Sequence, residues 1–199
     1  MAKKESTFSN MVLTLMLVAA AASFTLATVY NLTEEPIERA REAARQEAIS
    51  MVLHDFDTLK TKKFMPVSGS DSLEFNLAFD SEGELLGVAV ATYTGMGYSG
   101  RIRAMVGFNP DGTIIDVVHL EHAETPGLGD KIQKDKSDWS DQFQGFDPNE
   151  KTLKVRQDSG DIDGITAATI TARAYCDAID RAFQTFWENR ESIIKKETE

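Results

Sequence analysis

Ile102-Arg103-Ala104-Met105-Val106-Gly107-Phe108-Asn109-Pro110-Asp111-Gly112-Thr113-Ile114-Ile115-Asp116-Val117-Val118-His119-Leu120 is two apolar runs folded about one turn. Pro110 presets the backbone for the second position of a turn, and Asn109, Asp111 and Gly112 are the residues that close one. A connection this short joins antiparallel neighbours. The pattern therefore predicts strands over Ile102–Phe108 and Thr113–Leu120. Upstream, Leu86, Val88 and Val90 alternate within Glu84–Thr92, and Phe75, Leu77 and Phe79 alternate from Glu74. These are two further strands of an antiparallel meander. Residues 60–72 are rich in Lys, Ser and Gly and read as loop.

Downstream the pattern changes. Residues 121–150 are irregular, with a short helix expected around Asp138–Phe143, and Leu153–Arg156 reads as one more strand. A helix is expected from Thr166 to about Lys195. Its Tyr175, Ala178, Ile179, Ala182, Phe183, Phe186 and Trp187 recur at spacings of three and four, so one stripe faces a core. Strands followed by a long helix place the chain in the α+β class. There is no internal repeat and no low-complexity segment.

The amino-terminal part has a different character. Met11–Tyr30 carries no charged residue, and a helix of that length spans the hydrocarbon core of a bilayer. Tyr30 sits where an interfacial aromatic is expected. A cleaved signal peptide, with Lys3 and Lys4 as its basic region and Ala19–Ala22 near the cut, is the competing reading, but the apolar run is long for one. The expected organisation is a tail over 1–9, a single transmembrane anchor over 10–32, a juxtamembrane helix over 33–58 and a domain over 59–199. Thr33-Glu34-Glu35-Pro36 reads as the start of that second helix, capped by Thr33. It continues through Ile37, Ala40, Ala44, Ala48, Val52 and His54. Arg39, Arg41 and Arg45 alternate with Glu38, Glu42 and Glu47, which neutralises them on a helix surface. With Lys3 and Lys4 on the other side, the amino terminus is expected in the cytoplasm and the domain outside it.

Composition narrows the partners. A net charge of −11 with no basic stripe excludes nucleic acid and disfavours docking of the domain on anionic lipid. Cys176 is the only cysteine, so the chain has no internal disulfide and no cysteine-only metal site. On its helix it reads as a small core hydrophobe. His119 and Glu121 share one strand face and His122 falls on the other, so no metal site is expected there. No Gly-x-Ser-x-Gly nucleophile motif appears, and no catalytic residue is assigned. Gly95-x-Gly97-x-x-Gly100 spells a dinucleotide fingerprint, but a strand-like segment follows it where a helix is required.

Two segments carry chemistry. In Asp163-Gly164-Ile165-Thr166-Ala167-Ala168-Thr169-Ile170-Thr171-Ala172-Arg173-Ala174, three threonines crowd the expected helix start. A helix start presents unpaired N–H groups and positive dipole to a phosphate. Threonines there also serve as ordinary caps. In Glu121-His122-Ala123-Glu124-Thr125-Pro126-Gly127-Leu128-Gly129-Asp130-Lys131-Ile132, a proline and two glycines fix a tight loop that can bring backbone amides near a planar ligand.

Thr166–Thr171 resembles the pattern [Ser/Thr]-Gly-Ala-Thr-x-[Ser/Thr] of the G subunit of the Rnf complex and the C subunit of the sodium-pumping NADH:quinone oxidoreductase, with Ala167 in place of the usual glycine. Glu124–Gly129 and Gly97-Tyr98-Ser99-Gly100-Arg101-Ile102 are similar to two other segments of the same family, in the same order. The resemblance covers roughly residues 8–190 and is nearer to the Rnf G subunit, since the chain is short and lacks a large insertion. It implies an antiparallel-sheet FMN-binding domain flanked by helices, behind one anchor in the inner or plasma membrane. It implies covalent FMN, joined by a phosphoester to Thr169 by a separate, metal-dependent flavin transferase that uses FAD. Thr166 and Thr171 would offer hydroxyls to the phosphate, and Ala168 and Ile170 backbone N–H groups. Glu124, Thr125, Gly127 and Leu128, with Tyr98, would line the isoalloxazine, and Lys131 would offer it or the phosphate a positive charge. The implied role is an electron-transfer subunit, not catalytically autonomous, in an ion-translocating ferredoxin:NAD oxidoreductase. Its partners would be membrane and iron–sulfur subunits of that complex, and membrane lipid. The readings left beside it are an anchored structural or ligand-binding subunit with an unused threonine motif, and a stand-alone extracytoplasmic flavoprotein.

Overall fold

The computed structural model describes residues 7–53 and 55–194. Lys3, Lys4, His54 and Lys195, which enter the sequence reading, lie outside them. The described chain forms two compact units that divide after Ala43.

The first unit is helical. α1 runs from Phe8 to Val52, 45 residues without a break, and the uncharged run within it is long and apolar enough to cross a membrane. Thr14, Thr25 and Thr28 donate their hydroxyls to the carbonyls of Asn10, Ala21 and Phe24, four residues back. Those groups are thereby satisfied without water. Thr33 does the same toward Val29 at 2.9 Å, so it does not cap a second helix as its sequence context suggests. The helix passes straight through Pro36. A proline removes one backbone hydrogen bond. The pairs Glu35–Arg39 and Glu38–Arg41 support the turns around it.

The second unit is a sheet between two helical layers. β1 (Thr58–Phe64), β2 (Leu73–Phe79), β3 (Leu85–Gly97), β4 (Gly100–Phe108) and β5 (Ile114–Glu121) pair in chain order, all antiparallel. β1 corrects the loop expected over 60–72: its polar sequence hid an edge strand, and lysines on an edge discourage pairing with other chains. β3 and β4 continue past the expected ends and meet at Gly97 and Gly100, leaving Tyr98 and Ser99 as the hairpin tip. The strand expected over Leu153–Arg156 reduces to a single bridge between Val155 and Ile162. The short helix near Asp138 is a 3-10 turn over Trp139–Phe143.

α2 (Thr169–Ile194) lies on one face of the sheet. Its apolar stripe packs on Phe75, Leu77, Val88, Val90 and Val106. Phe108 stacks on Phe186 with ring centres 5.3 Å apart. Each such buried side chain contributes about 1.5–3 kcal/mol. Cys176 belongs to this core, where burial pushes its thiol up to about 12. The other face is covered by the end of α1, through Ala48, Ile49, Val52 and Leu53 on Ala78, Ala89, Met105 and Val118. Small sheet residues let that helix come close: a Cβ on Gly107 would stand 2.1 Å from the carbonyl oxygen of Val52. Arg45 is tied to the sheet through Glu74 and through Asn76 at 3.3 Å.

β5 ends in a histidine pair. The rings of His119 and His122 stand edge to face, 5.5 Å between centres. Burial, reinforced by His122 and partly offset by Asp135, holds the His119 imidazole below its usual range.

Two outcomes are expected. Gly107→Ala should destabilise the domain by on the order of 1–3 kcal/mol, through overpacking against α1, read by urea unfolding of the detergent-solubilised chain. Burial makes His119 bind a proton less readily in the fold than in the unfolded chain, which takes one below about pH 6.5. Its contribution is therefore complete above that pH and declines as pH falls through the window between the unfolded and folded values. His119→Gln should flatten the stability profile between about pH 7 and pH 5; an unchanged slope would refute the assignment.

Candidate functional site

α2 begins in an unusual way. The Ile165 carbonyl accepts from the Ala168 N–H at 3.0 Å, closing a tight turn over Ile165–Ala168. Ala167, third in that turn, has φ +63, the left-handed value that a type II turn places at this position and that favours glycine. This is the position at which the sequence departs from the family glycine, so the extra methyl costs backbone strain of about 1–2 kcal/mol. Ile165 and Ala168 are buried at either end of the turn. They push Thr166 and Ala167 outward and leave Thr169 half-buried as the first helical residue.

The helix start is uncapped. Ala172 donates to the Ala168 carbonyl at 3.1 Å, which makes Ala168 the N-cap, a residue with no side-chain acceptor. Among the described residues, nothing accepts from the backbone N–H groups of Thr169, Ile170 or Thr171, and the hydroxyls of Thr166 and Thr169 have no partner. The threonines are therefore not caps. Three N–H donors and the free hydroxyl of Thr169, with that of Thr166 three residues before it, fit a phosphate ester at this point.

Thr171 departs from the role expected of it. It is buried, and its hydroxyl donates to Glu124 Oε2 at 2.5 Å. It can reach a phosphate only through its backbone N–H. Glu124 is itself only 5 % exposed, so it underlies the surface and does not line it. Its Oε1 accepts from the Ser99 N–H at 2.9 Å, and its own N–H donates to His122 Nδ1 at 3.1 Å. Gly97 and Gly129 make room: a Cβ on Gly97 would lie 2.8 Å from Oε1, and one on Gly129 would lie 2.9 Å from both Oε2 and the Thr171 hydroxyl. Ser99, Gly97 and Gly129 thus belong to the site; they lie in the family-like segments, but the sequence assigned them no contact with Glu124.

The carboxylate gathers the three family-like segments. Tyr98 is exposed at the hairpin tip beside Ser99, Leu128 beside Gly129, and Ile170 beside Thr171. Thr125 and Gly127 shape the loop: the Thr125 carbonyl accepts from Leu128 and Gly129, with Gly127 at φ +77. Lys131 shares with Thr166 a cleft of about 370 Å³, whose other walls include Trp139, Gln142 and Asp163. The loop leading to the turn is braced by Arg173, which holds Asp158 through two bonds of 2.6 and 2.7 Å and so keeps that carboxyl below its usual range. A larger cleft of about 730 Å³ involves Ile193 and Ile194, at the other end of α2 and roughly 39 Å along a helix of this length.

A sequence model of the FMN-binding domain matches residues 97–184, a span that begins at the hairpin tip and contains the turn over Ile165–Ala168. The G subunit of the ion-translocating oxidoreductase complex of Shewanella piezotolerans is 32 % identical over 96 % of this chain and 94 % of its own length. That of Cereibacter sphaeroides is 34 % identical over 92 % of this chain and 85 % of its own. A crystal structure of Shewanella oneidensis NqrC aligns with 72 % of this chain and 73 % of that one, at 28 % identity and a TM-score of 0.49. The chain carries an FMN-binding domain with an uncapped threonine-bearing helix start, matches those two G subunits along nearly its whole length, and belongs to the family of G subunits of ion-translocating oxidoreductase complexes.

Proposed function

We propose that this chain is a membrane-anchored electron-transfer subunit that carries FMN as a phosphoester on Thr169, within an Rnf-type ferredoxin:NAD oxidoreductase. The observation that carries the reading is the free hydroxyl of Thr169 at a helix start with three unpaired N–H groups. Residues 10–32 form the single membrane span, and the domain works on the extracytoplasmic side. Its partners are the membrane and iron–sulfur subunits of the complex.

In maturation, the Thr169 oxygen forms a bond to the FMN-side phosphorus of FAD. The bond from that phosphorus to the bridging oxygen breaks, AMP leaves with that oxygen, and the hydroxyl proton passes to a base on the flavin transferase. The backbone N–H groups of Thr169, Ile170 and Thr171 receive the phosphoryl oxygens. Tyr98, Leu128 and Ile170 offer apolar surface to an aromatic ring, and Lys131 a positive charge near it. Bound FMN supplies the electron-accepting and electron-donating chemistry, while the protein sets position and electrostatics.

Intact mass of the chain co-expressed with a flavin transferase should exceed the polypeptide by one phosphoester-linked FMN. Thr169→Ala should remove that increment and leave the unfolding transition in place. Unmodified wild-type chain under those conditions would overturn the proposal. Ala167→Gly should preserve the increment and, by relieving the left-handed strain, raise stability by up to about 1 kcal/mol net of the freer unfolded chain, seen as a higher unfolding midpoint.

A further inference from the structure

Resting on the covalent reading above, we propose that Trp139 is the residue that positions the acceptor turn for modification of Thr169. Its indole N–H donates to the Asp163 carbonyl at 2.7 Å. Three residues on, Gln142 Oε1 accepts from the Asp163 N–H, also at 2.7 Å. One 3-10 turn therefore grips both backbone polar groups of the residue that leads into the acceptor segment. Gln142 also donates to the Trp139 carbonyl at 2.8 Å, which couples the two arms.

The indole itself is fixed from the helix side. It stands edge-on to Tyr175 at 5.7 Å and to Phe143 at 5.5 Å between ring centres. Tyr175 is fully buried, on α2, six residues after Thr169. Trp139 thus touches the segment on both sides, at Asp163 before the turn and at α2 beyond it. Between Asp163 and the start of α2 at Thr169, the other buried anchors among the described residues are Ile165 and Ala168. The Asp163 side chain adds an ion pair to Arg156 at 3.0 Å, but both partners are more than 60 % exposed, and such pairs contribute little. The peptide clamp sets the register of the loop. A hydroxyl that must meet a phosphorus atom in line is sensitive to displacements of about 1 Å.

The test uses the full-length chain in detergent with purified flavin transferase, magnesium and FAD, following flavin fluorescence of the denatured band over time. Trp139→Phe keeps the aromatic packing and deletes the donor. It should slow the maximal rate of incorporation between about ten- and a hundredfold, with the concentration of acceptor chain at half-maximal rate and the unfolding midpoint nearly unchanged. Gln142→Leu, which removes the other arm, should act in the same direction and serves if Trp139→Phe fails to fold. The exchange Trp187→Phe, at the far end of α2, should label at the wild-type rate. If the wild-type chain labels and both clamp variants label as fast, the positioning role is wrong and the covalent reading stands. If the wild-type chain does not label, the reading beneath the proposal fails as well.

Discussion

The geometry of the site depends on a carboxylate placed where water does not reach it. Glu124 would cost several kcal/mol if buried unpaired. It is tolerated because both oxygens have donors, the Ser99 N–H and the Thr171 hydroxyl, and because it sits by the positive end of α2. Charge-assisted bonds of this kind are stronger than neutral ones. Each binds a different segment, so the β3–β4 hairpin tip, the loop after β5 and the first turn of α2 are held to one point. Exposed Tyr98 and Ile170 are chain neighbours of the two residues that bond Glu124, and exposed Leu128 is the neighbour of Gly129, which leaves room for the carboxylate. Two glycines are required for the arrangement because a methyl at either would collide with the carboxylate.

The sheet was legible in the sequence where large apolar residues, which meet α2, alternate with smaller or polar ones on the other face. β2, β3, β4 and β5 alternate because one set of side chains meets α2. The stripe on α2 is equally plain, since Tyr175, Ile179, Ala182 and Phe186 are fully buried. β1 was not legible. Its residues Lys60, Lys62 and Lys63 belong to an edge strand, stabilised by pairing with β2 and carrying little apolar signal of its own. The break expected at Thr33 also failed, for a related reason: a Thr-Glu-Glu-Pro sequence starts a helix only if the preceding residues are not already helical. Here the apolar helix runs into it and the threonine bonds backward.

The candidate site was legible in the position of its threonines and hidden in the contacts that support them. A threonine cluster at a helix start points to a phosphate by local rules alone. Those rules do not reveal that Thr171 turns inward, since the partner that claims it lies 47 residues away. Nor do they show that Ala167 occupies a left-handed position, which depends on the burial of Ile165 and Ala168 around it. Trp139 and Gln142 reach Asp163 across 24 and 21 residues. No spacing within a window of sequence records such a contact, because the irregular segment between is shaped by the core it covers.

The charge of the domain bears on why a flavin would be joined here by a bond. The chain carries a net charge of −11, and Lys131 shares its cleft with Asp138 and Asp163. Among the described residues lining that cleft Lys131 is the one cation, so a phosphate there would find no cluster of cations to hold it. What the site offers is backbone N–H groups and a helix dipole, which is worth typically 0.3–1 kcal/mol toward one charge at an exposed position. Micromolar binding needs about 8 kcal/mol. The apolar side chains at the rim orient a ring more than they enclose one, since Tyr98 is 69 % exposed. On the proposed reading, electrostatics and packing at this site suffice to aim the cofactor and not to retain it. Retention then falls to the ester on Thr169, and the protein is left free to keep the ring at its surface, where electrons must enter and leave.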